Sequence, residues 1–121
     1  MNNSSAAITS DINKKNSITT LPEEYSVLFD NLHPVTYKYN DGTSDRLHTG
    51  FIAQEVAEAL AAAGIPTKDF AGLVISDPDT EDESWYLRYE EFIALNTQQI
   101  QKMKTHISEL EERIAHLENL L

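Results

Sequence analysis

The chain has 121 residues, 9 Lys+Arg against 20 Asp+Glu and a formal net charge of -11, and this acidity argues against phosphate backbones and anionic membranes as partners. The absence of cysteine excludes a disulfide framework, a thiol nucleophile and a thiolate metal site. One small domain buries proportionally little of its surface, so an oligomeric partner is expected; no apolar run approaches the ~18 residues of a membrane span, and the Asn/Ser-rich start lacks the features of a signal peptide.

Residues 1–9, MNNSSAAIT, are small and polar with a single Ile and read as a tail. An extended stretch from Ser10 leads to a helix opened by Leu21-Pro22, with Glu23 and Glu24 complementing its dipole and Tyr25, Leu28, Phe29 and Leu32 forming one apolar face. His33-Pro34 ends it. Val35, Tyr37 and Tyr39 then alternate with Thr36 and Lys38, the period of a half-buried strand, closed by the turn residues Asn40-Asp41-Gly42 and suggesting a hairpin.

The run FIAQEVAEALAAAG after His48-Thr49-Gly50 reads as a helix stopped by Gly64, with Phe51, Ile52, Val56, Ala59, Leu60 and Ala63 facing inward. Leu73-Val74-Ile75 and Trp85-Tyr86-Leu87 are two short strands separated by the acidic loop DPDTEDE, which lacks the spacing of a calcium loop. The four histidines, at 33, 48, 106 and 116, have no ligand-pair spacing, and no metal or cofactor is expected.

The last third carries the strongest pattern. Ile93, Ile100, Ile107, Ile114 and Leu121 recur every seven residues, with Asn96, Met103, Leu110 and Leu117 at the second seam position. A helix from Arg88 to Leu121 would be about 50 Å long, too long for a small domain to cover, so its apolar stripe is expected to pair between chains. An Ile/Leu seam favours dimers, whereas Arg113-Ile114-Ala115-His116-Leu117-Glu118 resembles a short trimerisation motif in which Arg113 reaches Glu118 of a neighbour. The expected fold is α+β: a small mixed domain of short strands and two short helices over residues 10–90, then a long C-terminal helix over 91–121 in a parallel trimeric coiled coil.

Several blocks then align: Ser10-Asp11 with Lys15 and Ile18, the run Leu32-His33-Pro34-Val35-Thr36-Tyr37-Lys38-Tyr39, the run His48-Thr49-Gly50-Phe51-Ile52-Ala53-Gln54-Glu55-Val56, and Tyr86 ahead of a terminal coil. In this order they resemble the C-terminal intramolecular chaperone domain of phage tailspikes, tail fibres and neck appendages, the endosialidase-type or peptidase S74 domain. The resemblance implies a homotrimer that holds an upstream β-rich segment of the same polypeptide in register, assists its folding, and then cuts itself off. This would take place in the host cytoplasm during virion assembly, on the precursor of a tail, fibre or appendage component, with residues 1–9 as the upstream remnant. It also implies Thr9-Ser10 as the scissile bond, Ser10 as nucleophile and Lys15 as its base, with Lys14 as competitor for that role. Asp11, Asn16, His48 and Gln54 are candidate supporting residues.

A serine hydroxyl needs an adjacent base, and an ordinary lysine is protonated at neutral pH. A spacing of five puts Ser10 and Lys15 about 140° apart on a helix, and on opposite faces of a strand. The two must therefore meet through an irregular turn or between chains. The competing expectation is a trimerisation foldon without chemistry.

Overall fold

The computed structural model describes residues 7–42 and 44–121; most of the expected N-terminal tail, residues 1–6, lies outside the described residues. Two hairpins and two short helices pack around the base of one long helix. The first helix, α1 (Glu24–Asn31), is preceded by Pro22, whose carbonyl accepts from Tyr25 N–H at 3.1 Å. Its Leu28 is wholly buried, and Tyr25, Phe29 and Leu32 pack against the same core, as the apolar spacing predicts.

Strand β1 (Val35–Tyr37) pairs antiparallel with β2 (His48–Gly50) in the register Val35 with Gly50 and Tyr37 with His48. The expected strand is shortened at its end: Tyr39 lies beyond the pairing and is largely exposed. Helix α2 (Ala53–Ala63) begins two residues later than the run FIAQEV suggests, because Phe51 and Ile52 follow directly on the strand and Ile52 is still extended, with φ −95° and ψ 126°. Ile52 is thus exposed rather than inward, whereas Val56, Ala59 and Leu60 are buried. Gly64 stops the helix in the left-handed region at φ 72°, where a side chain would be strained. Strands β3 (Leu73–Ser76) and β4 (Ser84–Leu87) form the second antiparallel pair around the acidic loop.

Helix α3 (Ile93–Asn119) follows a 3-10 turn over Tyr89–Phe92, so the regular helix starts five residues after Arg88 and spans about 40 Å. Only its first turns meet the domain. Phe92 and Leu95 join Leu28, Val56, Leu60, Phe70 and Leu73 in the core. Beyond them the helix projects free of the protomer: exposure along the seam runs from 40% at Leu110 to 64% at Ile93, and Leu121 is fully exposed. A stripe of isoleucine, leucine and methionine left in water over this length is unfavourable in an isolated chain.

The N-terminal segment is held to α3 by polar contacts. Gln98 Nε2 donates to the Leu21 carbonyl at 2.9 Å, Gln99 Nε2 to Ser26 Oγ at 3.0 Å, and Lys102 Nζ to Glu23 Oε2 at 3.0 Å and Ser26 Oγ at 2.7 Å. Residues 10–31 therefore wrap around the base of α3 and leave the seam stripe uncovered.

Candidate functional site

Ser10 and Lys15 meet within one chain. Between them residues Ile12–Lys14 form a single 3-10 turn, capped by Asp11, whose Oδ1 accepts from Asn13 N–H at 2.9 Å. The turn is closed by Lys14 N–H to the Asp11 carbonyl at 2.9 Å and Lys15 N–H to the Ile12 carbonyl at 3.3 Å. Lys15 then leaves it in an extended conformation, φ −124° and ψ 158°, and its Nζ lies 2.6 Å from Ser10 Oγ. A turn of three residues per repeat, broken at both ends by extended backbone, thus accomplishes what neither a helix nor a strand allows at this spacing.

The pair lies in an open groove along one flank of the base of α3, bordered by Glu90, Glu91, the seam residue Ile93, Ala94, Thr97, Gln98 and Gln101. Both residues are exposed in the protomer. The carboxamide Oε1 of Gln98 is buried without a hydrogen-bond partner among the described residues. None of the α3-side residues was legible as part of this site: they lie about eighty positions away along the chain, and nothing in their local spacing marks them.

The candidate supporting residues divide. Asp11 serves as the cap of the turn, and Asn16 accepts from Ser17 Oγ at 3.0 Å just after Lys15, where Ser17 has a positive φ of 55°. Gln54 lies elsewhere, lining a second concavity with Tyr37, Tyr39, Phe51 and Trp85, and His48 packs against two of those tyrosines. There the His48 ring stacks on Tyr37 with centroids 5.4 Å apart and meets the edge of Tyr39 at 5.0 Å. The Tyr37 phenol is pushed well above the ordinary tyrosine range, first by its hydrogen bond with Tyr39, then by burial and by Tyr89. Neither His48 nor Gln54 is hydrogen-bonded to Ser10 or Lys15 among the described residues.

Tyr89 ties the two regions together. Its hydroxyl accepts from Phe51 N–H at 3.2 Å and donates to the Phe51 carbonyl at 3.3 Å, fastening the 3-10 turn before α3 to the end of β2. Gly50 makes this possible, since a Cβ there would come within 2.9 Å of Tyr89 Cζ. Among the described residues no group of three or more His, Asp or Glu side chains is placed to hold a metal ion, and no helix is long and apolar enough to cross a membrane.

Comparison with known proteins bears on residues 10–65, which match the family model Peptidase_S74, chaperone of endosialidase. Over 100 residues the chain is 30% identical to depolymerase 1, capsule K3-specific, of Klebsiella phage KP32; the match takes in 78% of this chain and 11% of that protein, so the chain spans about one ninth of its relative. A solved structure titled as a novel intramolecular chaperone shares the fold, with a TM-score of 0.66 over 80% of this chain and 99% of that one at 18% identity.

Proposed function

Residues 10–65 place the chain in the peptidase S74, chaperone of endosialidase, family, and from that premise we propose that it trimerises through α3, registers an upstream β-rich segment of its own polypeptide while that segment folds, and then severs the Thr9-Ser10 bond with a Ser10-Lys15 dyad. The chain is an intramolecular chaperone domain, and membership of this peptidase family implies self-cleavage. The upstream segment we assign to the class of phage fibres, tailspikes and depolymerases, processed in the host cytoplasm during assembly; the support is the Klebsiella phage relative, which is about nine times longer than the matched part. In domain terms, residues 1–9 are the upstream remnant, 10–90 the chaperone and cutting unit, and 91–121 the coil.

The observation that carries the chemical part is the 2.6 Å separation of Lys15 Nζ and Ser10 Oγ. When Lys15 carries a free lone pair it takes the Ser10 hydroxyl proton as Oγ attacks the Thr9 carbonyl carbon. The new Oγ–C bond forms, the C–N bond to Ser10 breaks, and the proton passes from Lys15 to the departing Ser10 amine. Water then hydrolyses the ester, leaving a Thr9 carboxylate and restoring the Ser10 hydroxyl. The step requires Lys15 as the neutral amine, and in the lone protomer the groove that holds it is open. Asp11 acts through the turn: by capping it, it sets the approach of Lys15.

The trimer part rests on the uncovered seam of Ile93, Ile100, Met103, Ile107, Leu110, Ile114, Leu117 and Leu121, with Arg113 and Glu118 flanking it. Millimolar effective concentration of three tethered chains offsets the slow, non-local pairing of a β-rich fibre.

The test is the mass of the chain expressed behind a longer upstream segment. A product beginning at Ser10 is expected, and Ser10→Ala should abolish it while the trimer still forms. If Ser10→Ala precursor is cut at the wild-type rate, the nucleophile is wrong; if the wild-type precursor stays whole as a trimer, the non-cleaving foldon is the better reading.

A further inference from the structure

Written in heptads with Ile93, Ile100 and Ile107 at the first seam position, the base of α3 has two flanks with different coverings. On one flank lie Leu95, Gln99 and Lys102, against which α1 packs through Ser26, while Glu23, the residue preceding α1, reaches Lys102. On the other lie Ala94, Thr97 and Gln101, which border the groove of Ser10 and Lys15. Gln98, at the back, holds the connecting carbonyl of Leu21. The arm over residues 10–20 thus lies beside the seam on one side and α1 on the other, at the same height along the helix.

In a parallel, in-register coil these two flanks meet, because the position after the second seam residue of one helix packs beside the position before the first seam residue of the next. We propose, on the basis of the trimer reading above, that in the assembled protein the arm of each copy docks against α1 of the next copy, so that every Ser10-Lys15 groove has a neighbour's helix as its outer wall.

The two surfaces are complementary. Lys14 and Lys15 are the only lysine or arginine side chains in the first 37 residues, while α1 presents Glu24 and Asp30 to solvent. Lys15 is committed to Ser10, whereas Lys14 and Glu24 make no ion pair among the described residues. Apolar surface waits on both sides: Ile12 and Ile18 on the arm are 71% and 63% exposed, and Val27 on α1 is 40% exposed. Lys14 then pairs with Glu24 of the neighbouring copy, which gives this second lysine a role as an assembly contact distinct from that of the base.

The chain has no native cysteine, so the docking can be tested by cross-linking Lys14→Cys/Glu24→Cys protein with a short bismaleimide. Links from each copy to the next close a ring, and a covalent trimer is expected on a denaturing gel, while either single variant yields none. A double variant that sediments as three chains yet runs as monomer on the gel overturns the docking and leaves the trimer reading standing; a protein that does not sediment as three chains overturns both. Charge reversal provides a second readout. Each exposed pair contributes up to about fivefold, so Lys14→Glu should weaken trimer association by roughly tenfold or more over three pairs, and Glu24→Lys added to it should restore most of that loss. Additive weakening in the double variant refutes the pairing.

Discussion

Replacing Ile107 by Asp tests the seam beyond the reach of the domain's own core. In the protomer Ile107 is 56% exposed and takes no part in the core cluster, so the substitution should alter the isolated fold by only a few tenths of a kcal/mol, the difference in helix propensity. In a parallel trimer the same position forms an axial layer. Each copy then forgoes burial of roughly half an isoleucine, about 1 kcal/mol, and places an unpaired carboxylate in an apolar environment at a cost of about several kcal/mol per ion. Three such sites in one layer sum to on the order of 10 kcal/mol or more, against roughly 16 kcal/mol for the two associations of micromolar strength that join three chains, so what is left holds the trimer only at about millimolar concentration or above. Sedimentation at micromolar concentration should therefore change from three chains to one, while the near-ultraviolet signal of Trp85, the single tryptophan, stays as in the parent. An Ile107→Asp protein that still sediments as three chains would refute the seam assignment. A parent that sediments as two chains would instead give precedence to the dimer preference of an Ile/Leu seam.

Three further outcomes follow from the geometry. With Ser10 and Lys15 paired inside one chain, trimers mixed from Ser10→Ala and Lys15→Ala precursors should show no cleavage by mass spectrometry, and cleavage on the chain that keeps Ser10 would reassign the pairing to neighbouring copies. Gly50→Ala should push the Tyr89 ring off Phe51 and lower stability by about 1–3 kcal/mol, seen as a drop in Tm; an unchanged melt would contradict the packing of Tyr89. The Glu83 carboxyl is held below the ordinary glutamate range, first by the Trp85 Nε1–H donor at 2.9 Å and then by the Asp79 N–H. Because the folded form favours the ionised carboxylate, this contact is intact at neutral pH and lost as pH falls through that lowered value; Trp85 fluorescence should titrate below pH 4.5, and Glu83→Gln should remove the transition.

Much of the fold could be read from residues whose partners lie nearby in sequence. Gly64 marked the end of α2, Tyr25, Leu28 and Phe29 marked the buried side of α1, and the isoleucine repeat marked the helix stripe. Where partners are distant, reading failed or ran short. The start of α2 was placed too early because Phe51 and Ile52 have the composition of the helix that follows, while pairing of His48–Gly50 with Val35–Tyr37 holds the backbone extended up to that point. The same holds at the site. Spacing alone excluded a regular helix or strand between Ser10 and Lys15 and left two solutions, but the choice of a capped 3-10 turn depends on Asp11 and Asn13, whose local hydrogen bond is one of many that such residues make. The α3-side wall of Glu90, Thr97 and Gln98 depends on Gln98 reaching Leu21, 77 positions away, and has no local signature.

The placement of Ser10 at the very edge of the packed structure bears on what the upstream chain has to be. Ala7, Ile8 and Thr9 are exposed, Ile8 to 84%, and the first residue of the core is Leu28. A break at Thr9-Ser10 would therefore cross a perforation line: it removes no buried side chain, opens no cavity and leaves every hydrogen bond of the turn in place. The folded unit buries none of Ala7, Ile8 or Thr9, so, with the proposed cut at that point, upstream segments of unrelated sequence could precede it and diverge without disturbing its packing.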